Sequence, residues 1–166
     1  KLLLAIGGTP RRLSFGGEEI IYYRTLSDYR RLRELAGRGR RFAVIGGGFI
    51  GSEIAAALSM SQKEVVLIFP GEAIGNGVFP RDLGMFLNQF YRDKGISLLA
   101  GKSAVGLTRR GGGLVLHCQG NGDSSPQEYP VDGVVAGIGI QPNLELARSA
   151  GLKVDNGIVV DQFLRT

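Results

Sequence analysis

The stretch Gly46-Gly47-Gly48-Phe49-Ile50-Gly51 constrains the fold of this chain more than any other part of the sequence. Residues 42–45 before it form a short, continuous apolar run, which is typical of a strand buried on both faces of a parallel sheet. Residues 49–60 after it are apolar and rich in alanine, which suits a helix packed closely on such a sheet. The sequence therefore predicts a strand, a tight glycine turn and a helix in immediate succession.

The glycines of this turn have the spacing G-x-G-x-x-G at positions 46, 48 and 51. In dinucleotide-binding folds the first glycine permits the tight turn, the second lets the backbone approach a pyrophosphate, and the third lets the helix lie close to the strand. The helix N-terminus then offers free N–H groups and a partial positive charge to the phosphates. The alternative, a glycine-rich turn without a ligand, is less favoured because a predicted strand and helix flank the motif.

A second buried strand is predicted at residues 65–69, which completes a β-α-β unit. Dinucleotide folds commonly place an acidic residue about 20 positions after the glycines, where it accepts hydrogen bonds from the ribose hydroxyls. Glu72 lies 21 positions after Gly51, and no Arg or Lys occurs between Lys63 and Arg81 to bind a 2′-phosphate. We therefore predict NAD rather than NADP as the ligand. An exposed turn acid without a binding role remains the alternative for Glu72.

Two further helices are predicted from capping residues and apolar spacing. Ser27 should cap a helix that turns Tyr29 inward, and Pro80 should open a helix whose apolar face consists of residues 83, 86, 87 and 90. Asn143 should cap a short last helix.

Residues 102–131 have a different sequence pattern: short segments in which apolar and polar residues alternate are separated by glycine-rich turns. This pattern predicts a three-stranded antiparallel meander. Further strands are predicted at residues 1–6, 96–99, 134–136 and 158–160. The expected fold is α/β: a Rossmann-like three-layer domain with a parallel sheet and an antiparallel three-stranded β-meander as its crossover.

Composition excludes several classes of function. Ten Lys and Arg against four Asp and Glu fall in residues 1–41, but these arginines are interleaved with acids and Trp is absent, so nucleic acid binding is not predicted. No apolar run approaches the roughly 18 residues of a membrane span, which predicts a soluble protein. Cys118 is the single cysteine, so we expect a buried apolar residue, no disulfide, no metal site and a reducing, intracellular compartment.

These motifs together resemble the central domain of the pyridine nucleotide-disulfide oxidoreductase superfamily. Residues 4–10 resemble the segment that leaves the flavin domain, residues 44–53 the NAD fingerprint, and residues 136–143 the segment beneath the nicotinamide. Within the superfamily, the turn, the Phe69-Pro70 strand end and residues 143–147 look most like apoptosis-inducing factor and the ferredoxin and rubredoxin reductases.

The resemblance implies how a cofactor binds. It places Phe49, Ile50 and Glu53 near the nicotinamide, with Glu53 paired to a lysine of the flavin domain and expected, as the one catalytic candidate, to tune hydride transfer more than to anchor the cofactor. One departure is that Gly71 stands where relatives often have the ribose-binding acid, so that Glu72 comes one position late. The residues predicted to contact NAD(H) are Gly46, Gly47, Gly48, Phe49, Ile50, Gly51, Glu53, Gly71, Glu72, Ile138 and Gly139.

The resemblance also implies a larger enzyme. We expect residues 1–166 to be a single NAD(H)-binding domain, with residues 1–10 and 157–166 as crossovers to an absent FAD domain, and a further C-terminal domain in the intact protein. The intact protein would be an FAD-dependent NADH oxidoreductase in the cytoplasm or mitochondria, with ferredoxin, rubredoxin or a quinone as acceptor. The isolated chain would bind without catalysing. The alternatives are an NADH-responsive switch like apoptosis-inducing factor and a free-standing NAD-sensing module.

Overall fold

The computed structural model describes residues 2–166, which divide into two compact units. The larger unit is Arg12–Ile138, and the smaller one combines residues 2–11 with Gly139–Thr166. The larger unit contains β2 (Ile20–Tyr22), α1 (Leu26–Arg38), β3 (Arg41–Ile45), α2 (Phe49–Met60), β4 (Glu64–Phe69), α3 (Arg81–Asp93), β5 (Ser97–Ala100), β6 (Lys102–Arg110), β7 (Gly113–Gly120), β8 (Gln127–Val131) and β9 (Gly133–Ala136). The smaller unit contains β1 (Gly8–Pro10), β10 (Ile140–Pro142) and α4 (Glu145–Ser149).

The main sheet of the larger unit is five-stranded, in the order β2-β9-β3-β4-β5, and all of its neighbouring strands run parallel. After the exposed first residues Arg41 and Glu64, its strands β3 and β4 are continuous runs of buried apolar residues, and β9 is buried throughout, as a parallel sheet covered on both faces requires. The glycine turn follows β3 and is succeeded directly by α2, whose bounds are those predicted from the sequence.

Alternate residues of each strand point to opposite faces of this sheet, and each face has its own core. On one face, Phe42 and Val44 of β3 pack with residues of α1 and α2 such as Leu32 and Leu58. On the other face, Ala43 and Ile45 pack against the antiparallel sheet β6-β7-β8. The layers are therefore helices, parallel sheet and meander, and the predicted fold class is confirmed.

Cys118 lies in the meander and is fully buried, as expected for a small apolar side chain. Burial raises the pKa of its thiol to about 11, which keeps it protonated and unreactive near neutral pH.

Asp132, which follows β8, accepts hydrogen bonds from the backbone N–H groups of Arg40 and Arg41 at 2.7 and 2.8 Å. These two bonds, that of Arg41 foremost, hold the pKa of the Asp132 carboxyl below its ordinary value and join the end of the meander to the start of β3.

Helix α1 begins two residues earlier than predicted. Thr25, not Ser27, is its N-cap, and Thr25 forms a capping box with Asp28: the Thr25 hydroxyl accepts from the Asp28 N–H while the Asp28 carboxylate accepts from the Thr25 N–H. The Thr-x-x-Asp spacing satisfies both ends of the box, whereas Ser27 has Arg30 at the matching position. Tyr29, predicted to face inward, is 42% exposed.

Helix α3 begins after Pro80 as predicted, but its buried side is rotated by one residue. Leu87 is half-buried as predicted, but Leu83, Phe86 and Phe90 are exposed, and Gly84, Asn88 and Tyr91 complete the buried or half-buried stripe. Both stripes have the same helical spacing, so a shift of one position turns the helix by about 100°. The reason is contact with the loop after β4, since a Cβ built on Gly84 would lie 2.9 Å from both the Ala73 Cβ and the Ile74 carbonyl oxygen.

The smaller unit contains the antiparallel pair β1-β10. Asn143 does not cap α4, because its side chain accepts from the Thr9 hydroxyl at 2.8 Å and donates to the Ile6 carbonyl at 2.9 Å. The predictions of strands at residues 1–6 and 158–160 are wrong for the described residues: residues 2–6 form no strand, β1 begins at Gly8, and residue 158 forms only an isolated bridge with Val154. Residue 1 of the first prediction lies outside the described residues. Apolar residues alone do not make these segments into strands, because a strand also needs a neighbouring strand with which to form hydrogen bonds.

Helices able to cross a membrane, in length and in apolar character, are absent from residues 2–166.

Candidate dinucleotide-binding site

The glycine turn starts at Gly46, which is buried and has a φ of 115° that L-residues with a side chain rarely adopt. Its N–H donates to the carbonyl of Ile68 at 2.8 Å, so the turn is tied to the end of β4. A Cβ at Gly46 would overlap the carbonyl oxygen of Gly137, which follows β9. The first glycine is therefore required by the backbone of three neighbouring strands.

Gly51, in the first turn of α2, brings that helix against the start of the turn. A Cβ built there would overlap the Gly46 carbonyl oxygen, so no larger residue fits without moving the helix away from the sheet. Gly47 is covered by the ring of Phe69, whose Cγ would lie 2.7 Å from an added Cβ. These three glycines are enclosed by protein.

Gly48 differs from its neighbours because it is exposed and a Cβ built on it would meet no heavy atom within 4 Å. It is the N-cap of α2, and no side chain within residues 2–166 caps the first N–H groups of that helix. Free helix N-terminal N–H groups beside open backbone form a surface suited to an anion such as a pyrophosphate. The residues present therefore fit the phosphates of a dinucleotide.

The side chains that follow the turn have different surroundings. Phe49 is 58% exposed and meets the ring of Phe79 edge to face, with centroids 5.5 Å apart. Ile50 is half-buried and packs against the helix-side core, and Glu53 is exposed. The Ser52 hydroxyl donates to the carbonyls of Gly48 and Phe49 at 2.9 and 3.0 Å.

The segment after β9 lies beside the turn. Gly137 donates its N–H to the Ile45 carbonyl at 2.8 Å, and a Cβ on Gly137 would lie 2.8 Å from the Gly51 nitrogen. Ile138 packs against the meander-side core. Gly139 belongs to the smaller unit, where it has a φ of 91° and its carbonyl accepts from the Arg11 N–H at 3.0 Å.

Residues 70–80, here named the β4–α3 loop, contain Glu72. Both Glu72 carboxylate oxygens accept from the guanidinium of Arg81, from Nε at 3.1 Å and from the second nitrogen at still shorter range. This hydrogen-bonded ion pair lowers the pKa of Glu72 and keeps it ionised. Gly71 offers only backbone and lies against the side chain of Asn76. Arg81, at the first position of α3, thus supplies the cation that the sequence interval before it lacked.

The β4–α3 loop rests directly on the glycine turn. The Gly75 N–H donates to the Gly47 carbonyl at 2.8 Å, and the cleft between loop and turn, lined by Gly48, Ile74 and Phe79 among others, has a volume of only about 10 Å³. A dinucleotide phosphate would therefore approach Gly48 from its open side. Sequence reasoning missed the contributions of Arg81 and Phe79, and of these only Arg81, an arginine at the start of a helix near the second strand end, carried a readable signal.

The parallel sheet, the meander and the glycine turn place the chain among Rossmann-like dinucleotide-binding domains. The chain belongs to the pyridine nucleotide-disulphide oxidoreductase family, which it matches over residues 1–166. The superfamily inferred from its motifs is thereby confirmed.

Individual relatives agree with this assignment. The ferredoxin–NAD(+) reductase component of the anthranilate 1,2-dioxygenase system of Burkholderia cepacia is 38% identical over 172 residues, covering 100% of this chain and 40% of the relative. The crystal structure of a ferredoxin reductase from Rhodopseudomonas palustris superposes with a TM-score of 0.84 at 29% identity, over 94% of this chain and 38% of that one. The water-forming NADH oxidase of Lactobacillus brevis, bound to NADH, gives 0.77 at 28% identity, over 90% and 32%. The chain thus spans about two fifths of the length of the curated relative.

Proposed function

We propose that this chain binds NADH at the glycine turn and presents its nicotinamide to an FAD held by other parts of a longer oxidoreductase. The observation that carries the proposal is the contrast among the glycines. At Gly46 and Gly51, backbone atoms occupy the space where a Cβ would lie, whereas Gly48 is open to solvent at an uncapped helix N-terminus. A turn that served the fold alone would not need the open glycine, because a side chain fits there without contact.

The preference for NADH over NADPH rests on the β4–α3 loop. Glu72 is held ionised by Arg81 at the end of β4, where Rossmann folds read the ribose. A carboxylate repels a 2′-phosphate, and the cation that could attract the phosphate is already engaged by that carboxylate. The ribose hydroxyls of NADH remain acceptable because they can donate to the outer lone pairs of Glu72.

Bound NADH supplies a hydride, and the residues of this chain hold and orient it. Phe49, exposed and braced by Phe79, and Ile50 provide apolar surface on the helix that follows the phosphate turn. We propose that Glu53 and Ile138 complete the nicotinamide end. Residues 1–10 and 157–166 would connect to the FAD domain, and a further C-terminal domain would belong to the intact protein.

The binding claim is tested by calorimetric titration of the 166-residue chain with NADH and with NADPH under the same buffer and salt. We expect NADH to bind more tightly. Equal affinities, or tighter NADPH, would contradict the ribose assignment, and absence of binding by either would contradict the proposed function.

The activity of the longer protein needs its own test. We propose a ferredoxin, rubredoxin or quinone as electron acceptor, in line with the ferredoxin reductases among its relatives. After reduction by NADH, the flavin of the intact protein should be reoxidised rapidly by one of these acceptors. A long-lived reduced flavin with every acceptor would favour an NADH-responsive switch instead.

A further inference from the structure

Asn88 of α3 is 1% exposed and is the one buried polar residue within residues 2–166. Its side-chain oxygen accepts from the Ile74 N–H at 3.0 Å, and its side-chain nitrogen donates to the Glu72 carbonyl at 2.9 Å. Both halves of the amide therefore bind the backbone of the β4–α3 loop, two residues apart. A buried amide is retained only where such partners compensate for its desolvation.

The helix is shaped to make this contact. Gly84, one turn before Asn88, has no side chain and lies against Ala73 and Ile74 of the loop. The same stripe of α3 carries the glycine and the asparagine, while the apolar Leu83, Phe86 and Phe90 face outward. The helix thus exposes apolar rings in order to bring Gly84 and Asn88 to the loop.

The contact continues from the loop to the glycine turn. Ile74, held by Asn88, is buried in the helix-side core, and the next residue, Gly75, donates its N–H to the Gly47 carbonyl. On the other side of the contact, Glu72 carries the carboxylate that pairs with Arg81. The Asn88 side chain therefore fixes the loop backbone both at Glu72, which is proposed to bind the ribose, and next to Gly75, which contacts the glycine turn.

We propose that Asn88 is a positioning residue for dinucleotide binding, which acts through the β4–α3 loop without touching the ligand. This role rests on the proposed function, because it assigns to Asn88 the placement of Gly75 against the turn and of Glu72 beside the ribose. Its loss should weaken NADH binding and also reduce the discrimination between NADH and NADPH. A role in stability alone would do neither.

The test uses Asn88→Asp, which keeps an oxygen for the Ile74 N–H but sets an acceptor against the Glu72 carbonyl. We expect NADH affinity to fall roughly tenfold, because a buried carbonyl loses its donor and the loop shifts. The affinity ratio of NADH to NADPH should fall with it. The matched control is Leu116→Ala in the meander, which removes a fully buried side chain on the opposite face of the sheet.

Both variants are titrated at a temperature at which circular dichroism shows them folded. The positioning role is supported if Asn88→Asp lowers both the NADH affinity and the affinity ratio of NADH to NADPH, while Leu116→Ala keeps the wild-type values of both. Wild-type values in Asn88→Asp, or parallel losses in both variants, overturn it while leaving NADH binding by the wild type intact. A wild-type chain that binds neither dinucleotide overturns the proposed function, and this role falls with it.

A second measurement keeps the role falsifiable if Asn88→Asp does not fold. In the wild-type chain, amide hydrogen exchange of Ile74 and Gly75 should slow on addition of NADH, since the ligand favours the clamped loop. Unchanged exchange at both amides, under conditions where NADH is bound, would overturn the role of Asn88.

Discussion

The glycine turn after β3 and the β4–α3 loop leave neighbouring parallel strands at the same edge of the sheet, but they keep their shapes by different means. The turn is held by backbone against backbone, with Gly46 against Gly137 and Gly51 against Gly46. The loop is held by side chains, through the amide of Asn88 and the ion pair of Glu72 with Arg81.

The difference explains why one region tolerates almost no change and the other can be tuned. A side chain that overlaps backbone atoms cannot be accommodated by rotating another side chain. Substitutions in the enclosed part of the turn should therefore lower the stability of the fold. Exposed side-chain pairs are weak and can be exchanged, so substitutions in the loop should act on ligand preference.

Gly51→Val should have the largest effect. Its Cβ would overlap the Gly46 carbonyl oxygen, and relief requires α2 to separate from the sheet. We expect the free energy of unfolding to fall by about 3 kcal/mol or more, measured by urea denaturation followed by circular dichroism. A variant of wild-type stability would show that the turn is held less tightly than its contacts indicate.

Gly48→Val should separate binding from folding within the same turn. Gly48 has a negative φ of −81° and open space at its Cβ, so we expect stability within about 1 kcal/mol of wild type. The added side chain occupies the approach of the pyrophosphate, so NADH affinity should fall by roughly 100-fold or more. Retained NADH binding in the folded variant would mean that the turn serves the fold alone.

Glu72→Gln should change ligand preference more than affinity. The variant loses the carboxylate that repels a 2′-phosphate and frees the Arg81 guanidinium, so the preference for NADH should shrink by about three- to fivefold, as expected for an exposed pair. Paired titrations with NADH and NADPH at low and high salt measure the change. Glu72→Gln/Arg81→Gln is the control: it also loses the repelling carboxylate but leaves no free guanidinium, so the part of the NADPH gain that Arg81 supplies should be absent from it.

The pH dependence of NADH binding follows from the same pair. The pKa of Glu72 is lowered by Arg81, so the carboxylate is ionised throughout the neutral range and gains a proton only as the pH falls through the lowered value. The affinity for NADH should therefore stay constant from about pH 8 down to about pH 5. The measurement uses NADH alone, because the 2′-phosphate of NADPH itself gains a proton near about pH 6. A decline in NADH affinity that starts near neutral pH would show that another group of the protein controls ribose recognition.

Glu53→Gln should have the smallest effect on the chain itself. Glu53 is exposed on α2 just after its first turn, and a carboxylate that faced the pyrophosphate would repel it, so we predict that Glu53 faces away from the phosphates. We expect NADH affinity of the 166-residue chain to change by less than about threefold. In the intact flavoprotein, stopped-flow reduction of the flavin by NADH should slow. Wild-type reduction speed, or a large affinity loss in the chain alone, would show that Glu53 is wrongly placed.

The glycine turn was predictable because its requirements are written in consecutive residues. A buried strand, three spaced glycines and an apolar helix specify the turn without reference to distant parts of the chain, and α2 has its predicted bounds. The meander was equally readable from alternation and glycine turns. For α1, the Thr25-x-x-Asp28 box was present in the sequence and is a better capping signal than Ser27.

The loop was not predictable, because its partners lie on another element. Hydrophobic spacing predicted that Leu83, Phe86 and Phe90 lie on the buried face of α3. No neighbouring residue in the sequence indicates that the loop backbone needs the amide of Asn88. The same limit applies to Glu72: its position suggested a ribose acceptor, but its pairing with Arg81 depends on the fold that brings α3 beside the strand end.

The place of β9 in the sheet sets an order for folding. β9 lies between β2 and β3 in space, yet it is the last of the five strands along the chain, after the whole meander. β3, β4 and β5 can pair through short helical connections, whereas β2, whose only neighbour in the sheet is β9, must wait for the closure of a loop of more than 100 residues. Pulse-labelled hydrogen exchange during refolding should therefore show the amides of β2 protected after those of β4, and the first strand of this sheet to be synthesised would be the last to be incorporated.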